Sequence, residues 1–485
     1  MHHGRRLDEV RSGTDHVDER LCGGHRAQGW HAAPAAGSAA RARARPCGRR
    51  VGHALSSEAV TSVGIIGLGY VGLPLAAAFA EAGLEVRGVD LQAERVAEVN
   101  AGRSYIGDVA SDVLAPLVAA GRLTAATDGT ALRDCTAILI CLPTPLDEHR
   151  VPDLSYVVAG GEMAAAHLSP GTLVILESST YPGTTRELLQ PILERDGRLV
   201  GEDVFLAFSP ERIDPGNARF TVRNTPRVVG GITAECTRRA KELYEHIVEQ
   251  VHVVSTPESA EMSKLLENTF RAVNIALVNE LAILCDRMGI DVWETIRAAS
   301  TKPFGFMPFW PGPGLGGHCI PVDPFYLTWR AKAFDLTTEF VELAGRINVA
   351  MPYYAVSRIA RALNGQHRSV AASRILLLGM SYKPNVGDMR ESPSLKLLEL
   401  LRADGAEVLY HDPHVPELAS HGLRSEPLSA ELLRGVDCVV IATDHRAVDL
   451  KQVVECAPLV VDLRDAVRRS LGDGSSATPD NVDVL

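Results

Sequence analysis

The chain is 485 residues long, too long for one small core, so two or three domains are expected. Its composition is ordinary for a globular protein, 46% hydrophobic and 22% charged, and a formal net charge of -11 gives no general reason to expect nucleic acid or an anionic membrane as partner. No apolar run is long enough to span a bilayer, and the scattered Cys, without a CxxC pair or zinc-type His spacing, point to no bound metal and to reduced thiols in the cytoplasm.

Residues 1–58 differ from the rest: ten Arg, no Lys, and Ala/Arg/Gly-rich stretches such as Ala35 to Arg50, without the apolar segment of a secretory signal. They read either as a disordered basic tail or as upstream sequence translated from a start codon placed too early.

From Ser62 the pattern is strong. Val63 to Ile66 is a short apolar strand, followed at once by Gly67-Leu68-Gly69-Tyr70-Val71-Gly72, then a helix over Leu73 to Ala82 that Gly83 stops. A second strand, Leu84 to Val89, ends in Asp90, eighteen positions after the last glycine. A lone GxGxxG is weak, but here it has its strand, its helix and its acidic residue. The first two glycines allow a tight turn and close approach to a pyrophosphate, the third allows helix–strand packing, and the helix N-terminus offers unpaired N–H groups. Asp90 suits ribose hydroxyls and disfavours a 2′-phosphate, which selects NAD over NADP; the nearby Arg95 tempers that choice.

The alternation continues. Strands Ala137 to Cys141, Thr172 to Leu176 and Val204 to Phe208 run into loops carrying Thr144, Thr180, and Glu211 with Arg212. In a parallel sheet such loops converge on one crevice, the same end as the glycine turn. Taken singly, each is equally well turn chemistry. Pro257 to Met288 is the longest helical pattern, and Gly289 ends it; Lys264 and Asn268, four apart, share a face. A mid-helix Asn is a poor helix former and usually has a specific bond to make.

Phe306 to Pro324 is too rich in Gly and Pro for either element and reads as a loop. Within it Gly314, Gly316 and Gly317 precede Cys319, and Asp323 lies four residues on. A glycine-dense loop ending in one thiol suggests a ligand-facing nucleophile, against the alternative of a connector with an inert buried Cys. Beyond it, Arg346 to Leu363 reads as a helix with Asn364-Gly365 as its stop. A second, smaller α/β block starts at Ser373: strand Ile375 to Leu378, a loop with Lys383 and Arg390 suited to phosphate, helix Leu395 to Ala403, and strands Glu407 to Tyr410, Cys438 to Ala442 and Leu459 to Asp462. From about Leu471 the chain is polar and reads as frayed.

Together these pieces resemble the UDP-glucose/GDP-mannose dehydrogenase family, from about Val60 to Arg464. The carriers are Gly67 to Gly72, Glu177 to Thr184, Ser209-Pro210-Glu211, Lys264 with Asn268, Gly316 to Cys319, and Tyr382-Lys383-Pro384 with Arg390. A family-like start at about Val60 favours the second reading of residues 1–58.

The resemblance implies an α/β fold of two Rossmann-like doubly wound domains joined by a long central helical domain. The divisions would be 59–256 for NAD binding, 257–365 for the helical part with the Cys loop, 366–470 for the UDP-sugar nucleotide, and 471–485 as a tail. It also implies a homodimer, or a higher homo-oligomer, with the long helix supporting the dimer. The activity implied is NAD-dependent oxidation of a sugar C6 alcohol to a carboxylate through a thiohemiacetal and a thioester. Cys319 would be nucleophile, Lys264 and Asn268 would stabilise oxyanions, and Glu211 would handle the hydrolytic water that Thr180 orients. Asp323 would support proton handling. Gly67, Gly69, Tyr70, Val71, Gly72, Asp90, Arg95, Thr144, Thr180 and Arg390 would face the cofactor. Glu211, Arg212, Lys264, Asn268, Gly314, Gly316 and Lys383 would face the sugar nucleotide.

Pro215 and Val322 stand where the UDP-glucose branch tends to carry Glu and Lys. The surrounding segments instead look like the branch acting on UDP-N-acetyl-hexosamines, most like those using UDP-N-acetylglucosamine. UDP-N-acetylmannosamine, UDP-N-acetylgalactosamine and UDP-glucose remain the alternatives, followed by a two-electron β-hydroxyacid dehydrogenase and a non-catalytic NAD sensor.

Overall fold

The computed structural model describes residues 60–147, 149–214, 217, 219–317, 320–472 and 478–485. Residues 1–58 and Cys319 therefore lie outside the described residues, and the expectations placed on them are carried by sequence alone.

The first sheet has eight strands: β1 (Ser62–Ile66), β2 (Glu85–Val89), β3 (Leu123–Ala126), β4 (Ala137–Ile140), β5 (Leu173–Leu176), β6 (Phe205–Phe208), β7 (Arg227–Gly231) and β8 (Val251–Val253), in the order β3-β2-β1-β4-β5-β6-β7-β8. All neighbours are parallel except β6 and β7. The central strands β1, β4, β5 and β6 are buried at every position, which is why they are short unbroken apolar runs: helices cover both faces. The order starting 3-2-1-4-5-6 puts a topological switch point between β1 and β4, beside the glycine turn.

The chain then enters a helical region. The helix Pro257–Met288 is capped by the Thr256 side chain, which accepts from Ser259 N–H, starts on Pro257 and ends at Gly289 in the left-handed conformation. It packs along Glu339–Gly365, a helix seven residues longer at its start than the sequence pattern predicts. The early turns carry Glu339 and Glu342, favourable at a helix N-terminus, beside the apolar Phe340, Val341, Leu343 and Ala344. Asn279 joins the two helices: its Nδ2 donates to Asn348 Oδ1 at 3.0 Å, and its Oδ1 accepts from Gly312 N–H at 3.1 Å.

The second sheet is parallel, with β9 (Arg374–Leu378), β10 (Glu407–His411), a small hairpin of β11 (Glu417–Leu418) and β12 (Leu423–Arg424) set apart, then β13 (Cys438–Ile441), β14 (Val460–Asp462) and β15 (Val482–Val484), in the order β10-β9-β13-β14-β15. The tail expected to fray is thus corrected: residues 482–484 form the edge strand, paired with β14, and Trp293 Nε1 donates to Leu485 O. The polar composition of that segment suits an edge strand that places only alternate residues inward. The two sheets share a device. Leu68 N–H donates to Asp90 at the end of β2, and Met380 N–H donates to Asp412 just after β10. Asp412 is sealed by His445, whose Nε2 lies 3.1 Å from Asp412 Oδ2 while its Nδ1 accepts from Asn385 N–H. No helix among the described residues is long and apolar enough to cross a membrane.

Candidate active site

Each glycine of the turn after β1 has its own reason. Gly67 has φ +94°, and a Cβ there would lie 2.5 Å from Cys141 O. A Cβ on Gly72 would lie 1.8 Å from Gly67 O, so any side chain would push the helix Gly72–Glu81 off the turn. Gly69 is different: its backbone is ordinary and a Cβ would meet nothing within 4 Å, because the residue opens onto a cavity. That helix has no side-chain N-cap, and its start at Val71 lines the same cavity. An uncapped helix start behind an unobstructed glycine fits a dinucleotide pyrophosphate. Asp90 Oδ2 accepts from Leu68 N–H (3.0 Å) and from Arg95 Nη1 (3.4 Å), and its Oδ1 accepts from Gln92 N–H (2.9 Å). A cation already tied to Asp90 is a poorer 2′-phosphate receptor than a free one, which favours NAD at this edge.

The cavity has a volume of about 1350 Å³. Gly69, Tyr70, Val71, Arg95, Thr144, Glu211, Arg212, Lys264, Asn268, Gly314, Gly316, Lys383 and Arg390 all line it. Gly317 and Ile320, the described residues on either side of 318–319, line it too. Four predicted residues stand behind its wall: Gly67 and Gly72 in the turn, Asp90, and Asp323. Thr180 is also buried behind it, with a hydroxyl that has no hydrogen-bond partner among the described residues. Thr144 has its hydroxyl committed to Ser179 O at 2.8 Å.

Lys264 and Asn268 present one face of the helix Pro257–Met288 to the cavity. Asn268 Nδ2 donates to Asp323 Oδ2 at 2.6 Å, which answers why a mid-helix Asn is present. Asp323 opens the helix Asp323–Ala331 and is fully buried. Burial pushes its carboxyl up to about 6, against the pull of the Lys264 charge and the Asn268 hydrogen bond. A carboxyl that titrates near neutrality beside an ammonium group is suited to moving protons.

Glu211 sits on the loop after β6. Its Oε1 accepts from the N–H groups of Arg212 (2.6 Å) and Ile213 (2.7 Å), and its Oε2 from Arg227 Nη2 (2.8 Å). The carboxylate is immobilised: both acceptor sites of Oε1 are filled, and Oε2 keeps one open. The Thr180 loop is held from behind by Glu261, one turn before Lys264. Its carboxylate accepts from Gly183 N–H (2.6 Å), Thr185 N–H (2.8 Å) and Thr185 Oγ1 (2.7 Å).

The second sheet closes the far wall. Lys383 Nζ is 2.6 Å from Asp214 Oδ1, and the Arg390 guanidinium lies over the Tyr70 ring at 4.4 Å. The glycines of the Cys loop answer to this wall. A Cβ on Gly316 would lie 2.5 Å from Tyr382 Cβ, and one on Gly317 would lie 3.0 Å from the Tyr382 ring. Their smallness thus admits Tyr382, a reason the sequence did not disclose. Arg464, after β14, is a further cavity cation, with its guanidinium against Gly312. Sequence reasoning missed it, along with Arg227, Tyr244, Glu261 and Asn279. None lies in a Gly-rich or paired motif, and each acts across a long separation, Glu261 reaching 78 residues back to Gly183.

Comparison with known proteins agrees along the chain. The descriptions that match are the UDP-glucose/GDP-mannose dehydrogenase family NAD binding domain at residues 61–248, its central domain at 258–350 and its UDP binding domain at 376–469. The chain is 37% identical over 386 residues to a UDP-N-acetyl-D-glucosamine 6-dehydrogenase of Pseudomonas aeruginosa, covering 79% of this chain and 90% of the other. It is 36% identical over 395 residues to an NDP-N-acetyl-D-galactosaminuronic acid dehydrogenase of Ralstonia nicotianae, covering 79% and 91%. Among solved structures, the UDP-D-ManNAc dehydrogenase from Pyrococcus horikoshii superposes with a TM-score of 0.79 at 32% identity, covering 87% of this chain and 98% of that one. With its glycine turn, its lysine-bearing helix and its second nucleotide-type sheet around one cavity, the chain belongs to the UDP-glucose/GDP-mannose dehydrogenase family of NAD-dependent oxidoreductases.

Proposed function

We propose that the protein oxidises the C6 alcohol of a UDP-N-acetyl-hexosamine, UDP-N-acetylglucosamine first among them, to the uronic acid in two two-electron stages. The observation that carries this is the meeting, in one cavity, of the glycine turn, the Lys264–Asn268 face and the cations Lys383 and Arg464 of the second sheet. The relatives named for N-acetyl sugars support the substrate class. When bound, NAD+ supplies the hydride acceptor for each stage.

Gly69 and the start of the helix Gly72–Glu81 would hold the pyrophosphate of that cofactor, and Asp90 its adenine ribose. Lys383 and Arg464 would hold the sugar nucleotide's diphosphate, with Lys383 exchanging Asp214 for phosphate oxygens. Lys264 places an ammonium where the alkoxide and later oxyanions develop, and Asn268 donates beside it. Asp323, buried behind both, exchanges protons with the Lys264 ammonium and holds Asn268 in place. Cys319 supplies the thiolate that traps the aldehyde as a thiohemiacetal and carries the acyl group as a thioester until water releases it. Glu211 takes the proton of that water, and the unpartnered Thr180 hydroxyl helps to orient it.

A second copy of the chain is the expected partner. Leu266, Phe270, Leu277, Leu281, Leu284 and Met288 form one exposed apolar stripe on the helix Pro257–Met288.

The test is stoichiometric. With limiting UDP-N-acetylglucosamine and excess NAD+, two NADH per sugar are expected, and Cys319→Ala should retain cofactor binding while losing turnover. One NADH with an aldehyde product would overturn the thioester route. No NADH here but two with another UDP- or GDP-sugar would replace the substrate and keep the chemistry.

A further inference from the structure

Behind Glu211 stands a line of buried charge to which the reading above gives no role. Arg227 Nη2 donates to Glu211 Oε2 at 2.8 Å, and its Nη1 donates to Glu177 Oε2 at 2.7 Å and to Pro210 O at 3.2 Å. Tyr244 OH donates to the other oxygen of Glu177. Arg227 and Glu177 side chains are 3% and 0% exposed, and Tyr244 is fully buried. A buried ion pair is seldom more stable than apolar residues of the same volume, so stability is a weak reason for two carboxylates around one guanidinium here.

The geometry points to Arg227 and Glu177 as positioning residues for the water-handling carboxylate: Arg227 fixes Glu211 at the cavity wall, and Glu177 governs how much of the Arg227 charge Glu211 feels. This rests on the reading that Glu211 handles the water that releases the thioester.

The groups facing Glu177 are Arg227, Glu211, Tyr244 and Cys141. Burial pushes the Glu177 carboxyl up to about 7, so its charge is divided between two states at neutral pH. Burial also pushes the Cys141 thiol well up and keeps it neutral. With both carboxylates ionised, the trio carries one net negative charge. With Glu177 neutral, the guanidinium belongs to Glu211 alone.

The experiment is single-turnover kinetics across pH, in which NADH absorbance follows the first oxidation and quenched acyl-enzyme follows hydrolysis. Below about pH 7 Glu177 is already neutral, so Glu177→Gln should leave the hydrolysis step unchanged there and abolish the rise in its rate through about pH 7. Its plateau above that rise should fall about 3–10-fold, because a carboxylate held more firmly in its ionised form is a weaker base. The pH profile of the first oxidation should stay in place. Tyr244→Phe, which removes one donor from Glu177 and keeps the ring, should move the rise to higher pH, and it serves if Glu177→Gln does not fold. A hydrolysis profile that keeps its shape in the folded variants, or that changes together with the first-oxidation profile, overturns the inference. Glu211→Gln tells the two layers apart. Hydrolysis slowed by Glu211→Gln with an unchanged hydrolysis profile in Glu177→Gln removes the Arg227–Glu177 role alone. Hydrolysis indifferent to Glu211→Gln removes both.

Discussion

In the proposed reaction Asp323 would concentrate the proton chemistry of the first oxidation into one buried carboxyl. It bonds Asn268 directly and feels the Lys264 charge, yet burial raises it to about 6. Ionised Asp323 is the form that supports the ammonium, so kcat should decline as pH falls through about 6. Asp323→Asn should remove that limb and lower kcat by about 10²-fold or more, read from the pH–rate profile of NADH formation with folding checked by circular dichroism. A limb that persists in Asp323→Asn would assign it to another group. Of this trio the sequence disclosed the residues but not the bond. Lys264 and Asn268 are four apart and plainly share a face, whereas Asp323 joins them across 55 residues. Separation of that kind hides Arg227 altogether, since a lone Arg at the start of a strand carries no pattern of its own.

At the scale of elements, the helix Pro257–Met288 organises more than its own face. Glu261 ties it to the Thr180 loop through three donors and one carboxylate, so the Thr180 hydroxyl and Lys264 keep a fixed separation. Glu261→Gln turns an NH2 group toward one of those N–H donors. It should cost about 1–3 kcal/mol, seen as a melting point lower by a few degrees, and should slow hydrolysis. The pH dependence has a definite sign. Burial pushes the folded carboxyl up to about 7 from 4.5, so the folded state binds its proton more readily than the unfolded one. Stability from this site is therefore greatest at acid pH and declines as pH rises from about 4.5 through 7. The deficit of Glu261→Gln should narrow over that window, and a deficit that widens would contradict the assignment. Both long helices were legible where apolar residues recur every three or four positions. The first turns of Glu339–Gly365 and the strand β15 were not: Gly345 interrupts the one, and the other is too short to show alternation.

Across the whole molecule, the apolar stripe from Leu266 to Met288 predicts association. Light scattering should give twice the 52.1 kDa chain mass, and Leu277→Glu with Leu281→Glu should return it to one chain. An unchanged mass in the double variant would place the interface elsewhere. The two-sheet plan was readable in its central strands, since buried parallel strands separated by helices leave regular apolar runs, but β3, β7, β8 and β15 did not stand out. The cavity between them was readable through its glycine turn and through the strand-end loops that converge on it. What closes it, Lys383 on Asp214 and Arg390 on Tyr70, depends on how loops far apart in sequence come to face each other.

The bond from Leu68 to Asp90 and its counterpart from Met380 to Asp412 make the two sheets variations on one scheme. For protein engineering the difference between them is instructive. Grafting a GxGxxG turn after β9 would not by itself make a second dinucleotide site, because the His445 imidazole fills the place beside Asp412 where a ribose would sit. Burial opposes the Asp412 charge, yet the His445 hydrogen bond helps to hold that carboxyl down at about 2. Cutting His445 back to open the space would strip away that donor in the same stroke, so a redesign has to supply a new partner for Asp412 before it can accommodate a sugar.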